Sequence, residues 1–195
     1  MFSFKNQTGL QDKVAAPQTK TDLSDWALLI IDMQDTYLNG VETEKLNKLV
    51  SAQLNFLFNP LIKNMDIFLI EYKNEGKTAD YIMDSLKKIK SNIKDYTFQK
   101  ESPNAFGNQD LYYALEQLKK KNLIVMGVNA TGCVLETARN ALYYKFKVFT
   151  SDDLIEDEGW IRGEGFSNPK LGFYPQETSY FENYKLLLNA ISQKT

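Results

Sequence analysis

Cys133 is the only cysteine in a chain of 195 residues that contains no histidine. A lone cysteine has two readings, a small buried hydrophobe or a nucleophile. The choice depends on which other reactive groups the chain brings to it. Asp32 ends the apolar run WALLIID, Lys100 closes the segment YTFQK, and Cys133 follows the run LIVMG where a helical pattern begins. A carboxylate can accept a thiol proton and later return it to a leaving group, the work usually done by histidine. An ammonium beside that carboxylate would hold it in place and favour its charged form. A helix N-terminus and a nearby ammonium both lower a thiol's pKa, so Cys133 is expected to be partly thiolate near neutral pH. On the same reasoning, Asp32→Asn is expected to slow its alkylation. Each residue also has an ordinary reading: Asp32 as a helix cap or ion-pair partner, Lys100 as surface, Cys133 as packing. Their joint placement at the ends of predicted strands favours the chemical one.

Those strands follow from pattern. WALLIID (26–32), IFLIEY (67–72), LIVMG (123–127) and KVFTS (147–151) are short runs of strand length, mostly apolar as in a sheet covered on both faces, and YTFQK (96–100) alternates. Between them lie helical periodicities. One carries Leu46, Leu49, Val50, Leu54 and Leu57 before Pro60, and another Tyr81, Ile82, Leu86 and Ile89. A third carries Leu111, Leu115 and Leu118 and ends in Lys119, Lys120 and Lys121, a run that reads as a solvated last turn favourable to the helix dipole. Further helices are predicted over 134–144 and around 180–191. Strands alternating with helices imply parallel crossovers and an α/β layered sheet, whose ligands collect at the carboxyl ends of the strands.

Composition narrows the function. An apolar content of 43%, a net charge of -2 and no second composition zone imply one domain over 22–195, preceded by a polar, aperiodic arm over 1–21 in which no chemistry is expected. The near-balanced charge gives no footprint for nucleic acid, and no segment approaches the length of apolar chain that a membrane helix needs. The N-terminal residues show no secretion signal and one cysteine forms no internal disulfide, so a cytoplasmic location is expected. The missing histidines remove the commonest metal ligand, so neither a metal nor a cofactor is expected. Gly127 and Gly132 do not make a dinucleotide fingerprint, and the phosphate-loop motif is absent. Weaker candidates are Gln34 and Tyr37 as pocket lining and Phe106 as a substrate platform, each with a core reading beside it. The stretch 156–177, rich in glycine and aromatics, reads as a long loop: a lid, an interface arm or a plain cover over the sheet.

LLIIDMQDTYL, FQKESPNAF and GVNATGCVLETARNAL, in this order and at these separations, resemble the isochorismatase-like cysteine hydrolase superfamily, from about Trp26 to Asp153. The resemblance implies a three-layer, doubly wound, mainly parallel sheet with helices on both faces. It also implies an Asp32, Lys100 and Cys133 triad, a small-molecule substrate and a homo-oligomer. A cis peptide would fall at Val128–Asn129 and turn the N–H of Asn129, with that of Cys133, toward a developing oxyanion; such a donor is typically worth about 3 kcal/mol in the transition state. Nicotinamidase-type members hold a metal through an aspartate and histidines, a set this chain cannot reproduce. The third position before the nucleophile, usually threonine in the family, is Ala130, with Thr131 one place later, so the loop's hydrogen bonding is expected to differ. The function implied is a metal-independent cysteine hydrolase cleaving a C–N bond in an amide, carbamoyl or ureido compound through a covalent intermediate. The alternatives are vinyl-ether hydrolysis of an isochorismate-like acid and a binding or scaffold protein that keeps the fold without turnover.

Overall fold

Every side chain of β1 (Trp26–Ile31) is buried, which requires that its sheet be covered on both faces. The computed structural model describes residues 22–89, 96–159 and 168–193. β1 lies between β2 (Asp66–Tyr72) and β4 (Asn122–Val128). β3 (Thr97–Lys100) flanks β2, while β5 (Lys147–Ser151) and then β7 (Ser179–Phe181) extend the other side. β6 (Ile155–Glu156) pairs with the last residues of β4, and all of these pairings are parallel.

Alternation along β1 divides the core in two. Trp26, Leu28 and Ile30 face the layer of α2 (Thr43–Leu57), α3 (Asp80–Ile89) and α7 (Tyr184–Ser192). Ala27, Leu29 and Ile31 face α4 (Gln109–Gln117), α5 (Cys133–Tyr143) and α6 (Phe173–Glu177). The result is a three-layer, doubly wound sheet in which the order reverses between β1 and β4. In open sheets of this kind ligands bind beside such a switch point, at the strands' carboxyl ends. The approach of the two strands there is close: a Cβ on Gly127 would lie 1.9 Å from the Ile31 carbonyl oxygen, and Gly127 has φ +138°. Only glycine fits this position without moving backbone.

Three expectations change. The helix expected around 180–191 begins at Tyr184, where the Asn183 side chain accepts from the N–H groups of Lys185 and Leu186, and the residues before it form β7. The loop expected over 156–177 opens with the end of β6 and closes with α6; its residues 160–167 lie outside the described residues, as does the arm over 1–21. Lys120 is not solvated but 6% exposed, and it pairs with Asp66 at 2.6 Å while also donating to the Ser24 carbonyl. The turn after α4 runs back along the amino ends of β1 and β2, where that carboxylate and carbonyl need a cation.

Candidate active site

Asp32 leaves β1 with φ +50°, a left-handed conformation that aspartate tolerates better than most residues, and its N–H donates to the Ile70 carbonyl at 2.9 Å. Lys100 is the last residue of β3. Its side chain passes the Tyr72 ring, with Nζ 4.2 Å from the ring centroid. Nζ stands 2.8 Å from Asp32 Oδ2, donates to Cys133 Sγ at 3.1 Å and donates to the Ser102 carbonyl at 3.2 Å. Cys133 is the first residue of α5. One buried ammonium thus bridges the carboxylate and the thiol. Asp32 and Lys100 are 1% and 2% exposed, so the pair is costly to bury and poorly explained by stability alone.

Burial drives the protonation states. It pushes the Asp32 carboxyl up from the usual carboxylate range, and the Lys100 charge pulls it partly back. Among the described residues, Asp32 is held by that charge, without a side-chain hydrogen bond of regular geometry. Burial first, and then the Asp32 carboxylate, push the Cys133 thiol up to about 12, against the opposing pull of Lys100. The resting thiol is therefore protonated, which corrects the expected partial thiolate: enclosure beside an anion outweighs the helix terminus and the ammonium. The expected effect of Asp32→Asn on alkylation reverses with it, because the carboxylate disfavours the thiolate.

The remaining candidates divide. Tyr37, partly buried in α1 (Asp35–Leu38), has its ring 6.3 Å from that of Tyr72; burial and then the Asp32 charge raise its phenol pKa, so it lies within the field of Asp32 and Cys133. Gln34 braces the end of β2 instead of offering an amide to a ligand: Nε2 donates to the Tyr72 and Gly76 carbonyls, and Oε1 accepts from the Tyr72 N–H. Phe106 is not a platform either. It is 4% exposed and packs on Tyr144 and Phe146 in the layer beneath α5.

The loop ahead of Cys133 is held on all sides. The Val128–Asn129 peptide is cis. The Ala130 N–H donates to the Glu156 carbonyl, and the Ala130 carbonyl accepts from the Tyr174 hydroxyl at 2.7 Å. Both the N–H and the hydroxyl of Thr131 donate to Asp157 Oδ1, at 2.7 and 2.8 Å, so Thr131 anchors the loop where Ala130 cannot. Asn129 exchanges two hydrogen bonds with Glu158. The roles of Asp157, Glu158 and Tyr174 are not legible in the sequence: the first two follow a two-residue strand too short to show periodicity, and Tyr174 lies in a helix of five residues. Tyr72 was findable, since it ends a predicted strand as Asp32 does.

The chain has relatives in sequence family and in fold. The chain matches the Isochorismatase domain family over residues 26–157. No curated protein matches it. Among solved structures, it is similar to N-carbamoylsarcosine amidase from Thermoplasma acidophilum (TM-score 0.63, 16% identity, covering 82% of this chain and 96% of that one). It is also similar to the YcaC gene product from Escherichia coli, an octameric hydrolase of unknown specificity (TM-score 0.57, 24% identity, 75% and 71% covered). A third is the nicotinamidase SaPncA from Staphylococcus aureus (TM-score 0.56, 17% identity, 68% and 83% covered). At these identities the structures speak for the fold, and the domain match, spanning most of the chain, speaks for the family. By its match over residues 26–157, the chain belongs to the isochorismatase-like hydrolase family.

Proposed function

We propose that the protein is a metal-independent cysteine hydrolase that cleaves the C–N bond of a small amide, carbamoyl or ureido compound. The observation that carries this reading is the single buried ammonium of Lys100, within 2.8 Å of Asp32 and 3.1 Å of Cys133. Asp32 takes the Cys133 proton as sulfur attacks the carbonyl carbon. Negative charge then moves from carboxylate to carbonyl oxygen while Lys100 keeps the net charge of the site balanced. The N–H groups of Asn129 and Cys133, absent from the backbone hydrogen-bond network of the described residues, receive the oxyanion. Asp32 returns the proton to the leaving nitrogen, the C–N bond breaks, and an acyl or carbamoyl thioester remains on Cys133. Water then gives a proton to Asp32 and attacks the thioester; the C–S bond breaks and sulfur regains its proton. The chain has no histidine, and none of these steps calls for one.

Ammonia release from N-carbamoylsarcosine, nicotinamide and simple ureas, measured before and after chelation, tests the reading. Turnover of one of them is expected to survive the chelator and to fall by at least about a thousandfold in Cys133→Ala. Loss in chelator, restored by zinc or iron, would contradict it. The raised carboxyl of Asp32 also suits protonation of a vinyl ether, for which the thiol is dispensable. Release of pyruvate from isochorismate, undiminished in Cys133→Ala, would select that second reading.

We further propose a homo-oligomer. Tyr113, Tyr143 and Tyr144 are 55%, 75% and 38% exposed on the outer sides of α4 and α5 and join through the Tyr112 ring into one aromatic patch.

A further inference from the structure

We propose that Glu158 is a positioning residue for the Asn129 N–H, with Gly40 leaving the space its carboxylate occupies. The proposal rests on the oxyanion role given to Asn129 above. Asn129 Nδ2 donates to Glu158 Oε2 at 2.8 Å, and the Glu158 N–H donates to Asn129 Oδ1 at 2.8 Å. A closed ring of two hydrogen bonds therefore ties the side chain of one residue to the backbone and side chain of the other. Both residues are buried, at 6% and 5% exposed, so water offers little substitute. Rotation of Asn129 breaks both bonds together, which fixes the residue whose N–H is assigned above to the oxyanion.

A second segment completes the device. Gly40 follows α1, only a few residues beyond Asp32, and its carbonyl accepts from the Gly159 N–H at 2.9 Å. A Cβ built on Gly40 would meet Glu158 Oε1 at 2.5 Å, Cγ at 3.0 Å and Cδ at 3.1 Å. Those atoms all belong to one flexible side chain, and Gly40 is not among the glycines with positive φ. Gly40→Ala is thus a substitution that the backbone accepts and that displaces the Glu158 carboxylate.

The test compares two reactions at the chain's one cysteine. Acetylation by p-nitrophenyl acetate forms a C–S bond at a carbonyl, builds an oxyanion and expels p-nitrophenolate, while the thiol proton passes to Asp32. Alkylation by iodoacetamide forms a C–S bond at a saturated carbon, expels iodide and builds no oxyanion. Both rates are followed by intact mass at one fixed pH of about 9, where only a small share of the Cys133 thiol is ionised and both reactions draw on that same share, with Cys133→Ala as the blank. In Glu158→Ala and Gly40→Ala, acetylation is expected to fall about tenfold while alkylation stays within about twofold. Glu158→Gln keeps an acceptor for Asn129 Nδ2 and is expected to hold acetylation within about threefold of wild type. If Glu158→Ala does not fold, Gly40→Ala and Glu158→Gln decide. Equal loss in both reactions would reduce Glu158 to a general support of the loop, and wild-type acetylation in Gly40→Ala would remove its role; either overturns the proposal. A wild-type protein that p-nitrophenyl acetate leaves unmodified at Cys133 overturns the nucleophile assignment itself, a failure seen in the wild-type arm alone.

Discussion

In the proposed reaction Asp32 and Cys133 exchange one proton in a site that is 1% and 9% exposed at these two residues. Burial raises both groups, so the carboxylate is a stronger base than in water while the thiol is a weaker acid. Transfer between them leaves the total charge beside Lys100 unchanged, and the proton moves without either partner entering water. Asp32→Asn separates the two effects of the carboxylate. Asparagine tolerates the left-handed backbone at this position, so the fold is expected to survive, as circular dichroism would verify. Hydrolysis is expected to fall by about a hundredfold or more, because the amide cannot accept and return a proton. Alkylation of Cys133 at neutral pH is expected to speed up, because the anion opposing its thiolate is gone. Slower alkylation would mean that Asp32 activates the thiol at rest. The same logic sets the acid limb of kcat/KM. If Asp32 is the base, activity needs it ionised and is expected to rise with pH through its folded-state pKa, which burial places above the ordinary 3.8. A pH profile already level at 3.8 would rule Asp32 out as the base.

The elements owe their positions to backbone fit as much as to side chains. Gly127 lets β4 lie against Ile31, the residue before Asp32. Gly127→Ala would press a Cβ into backbone at 1.9 Å from an oxygen and force an L side chain to φ +138°. A loss of about 3 kcal/mol in unfolding free energy is expected in a denaturant titration, with activity falling alongside it; a loss below about 0.5 kcal/mol would show that the strands can part freely. Fully buried strands such as β1 and β4 are legible in the sequence because burial on both faces demands continuous apolar runs. β6 and β7 are not, since two or three residues carry no period and their pairing is decided by the neighbouring strand. Lys120 is misread for a related reason. Its run of three lysines has the composition of a solvated helix end, while its surroundings are set by Asp66, distant in sequence.

At the scale of the whole molecule, the sequence places the three reactive groups at strand ends, and only the assembled sheet shows how near they come. Lys100 reaches Asp32 across β2, a distance no spacing in the chain expresses. The clamp on the nucleophile loop is equally hidden, because Asp157, Glu158 and Tyr174 act on residues 26 to 44 positions away. Among the described residues, no helix is long and apolar enough to cross a membrane. The aromatic patch on α4 and α5 leads us to expect a particle larger than a 195-residue monomer by light scattering; a monomer at micromolar concentration would leave that patch without a protein partner. The proposed chemistry turns on a covalent bond at Cys133. It is tested most directly by acid-quenching the protein during turnover of the best substrate in the ammonia assay and weighing it intact. A mass increase equal to the acyl or carbamoyl group is expected, located on the Cys133 peptide and absent in Cys133→Ala. An unmodified Cys133 throughout turnover, with ammonia still released by Cys133→Ala, would contradict it.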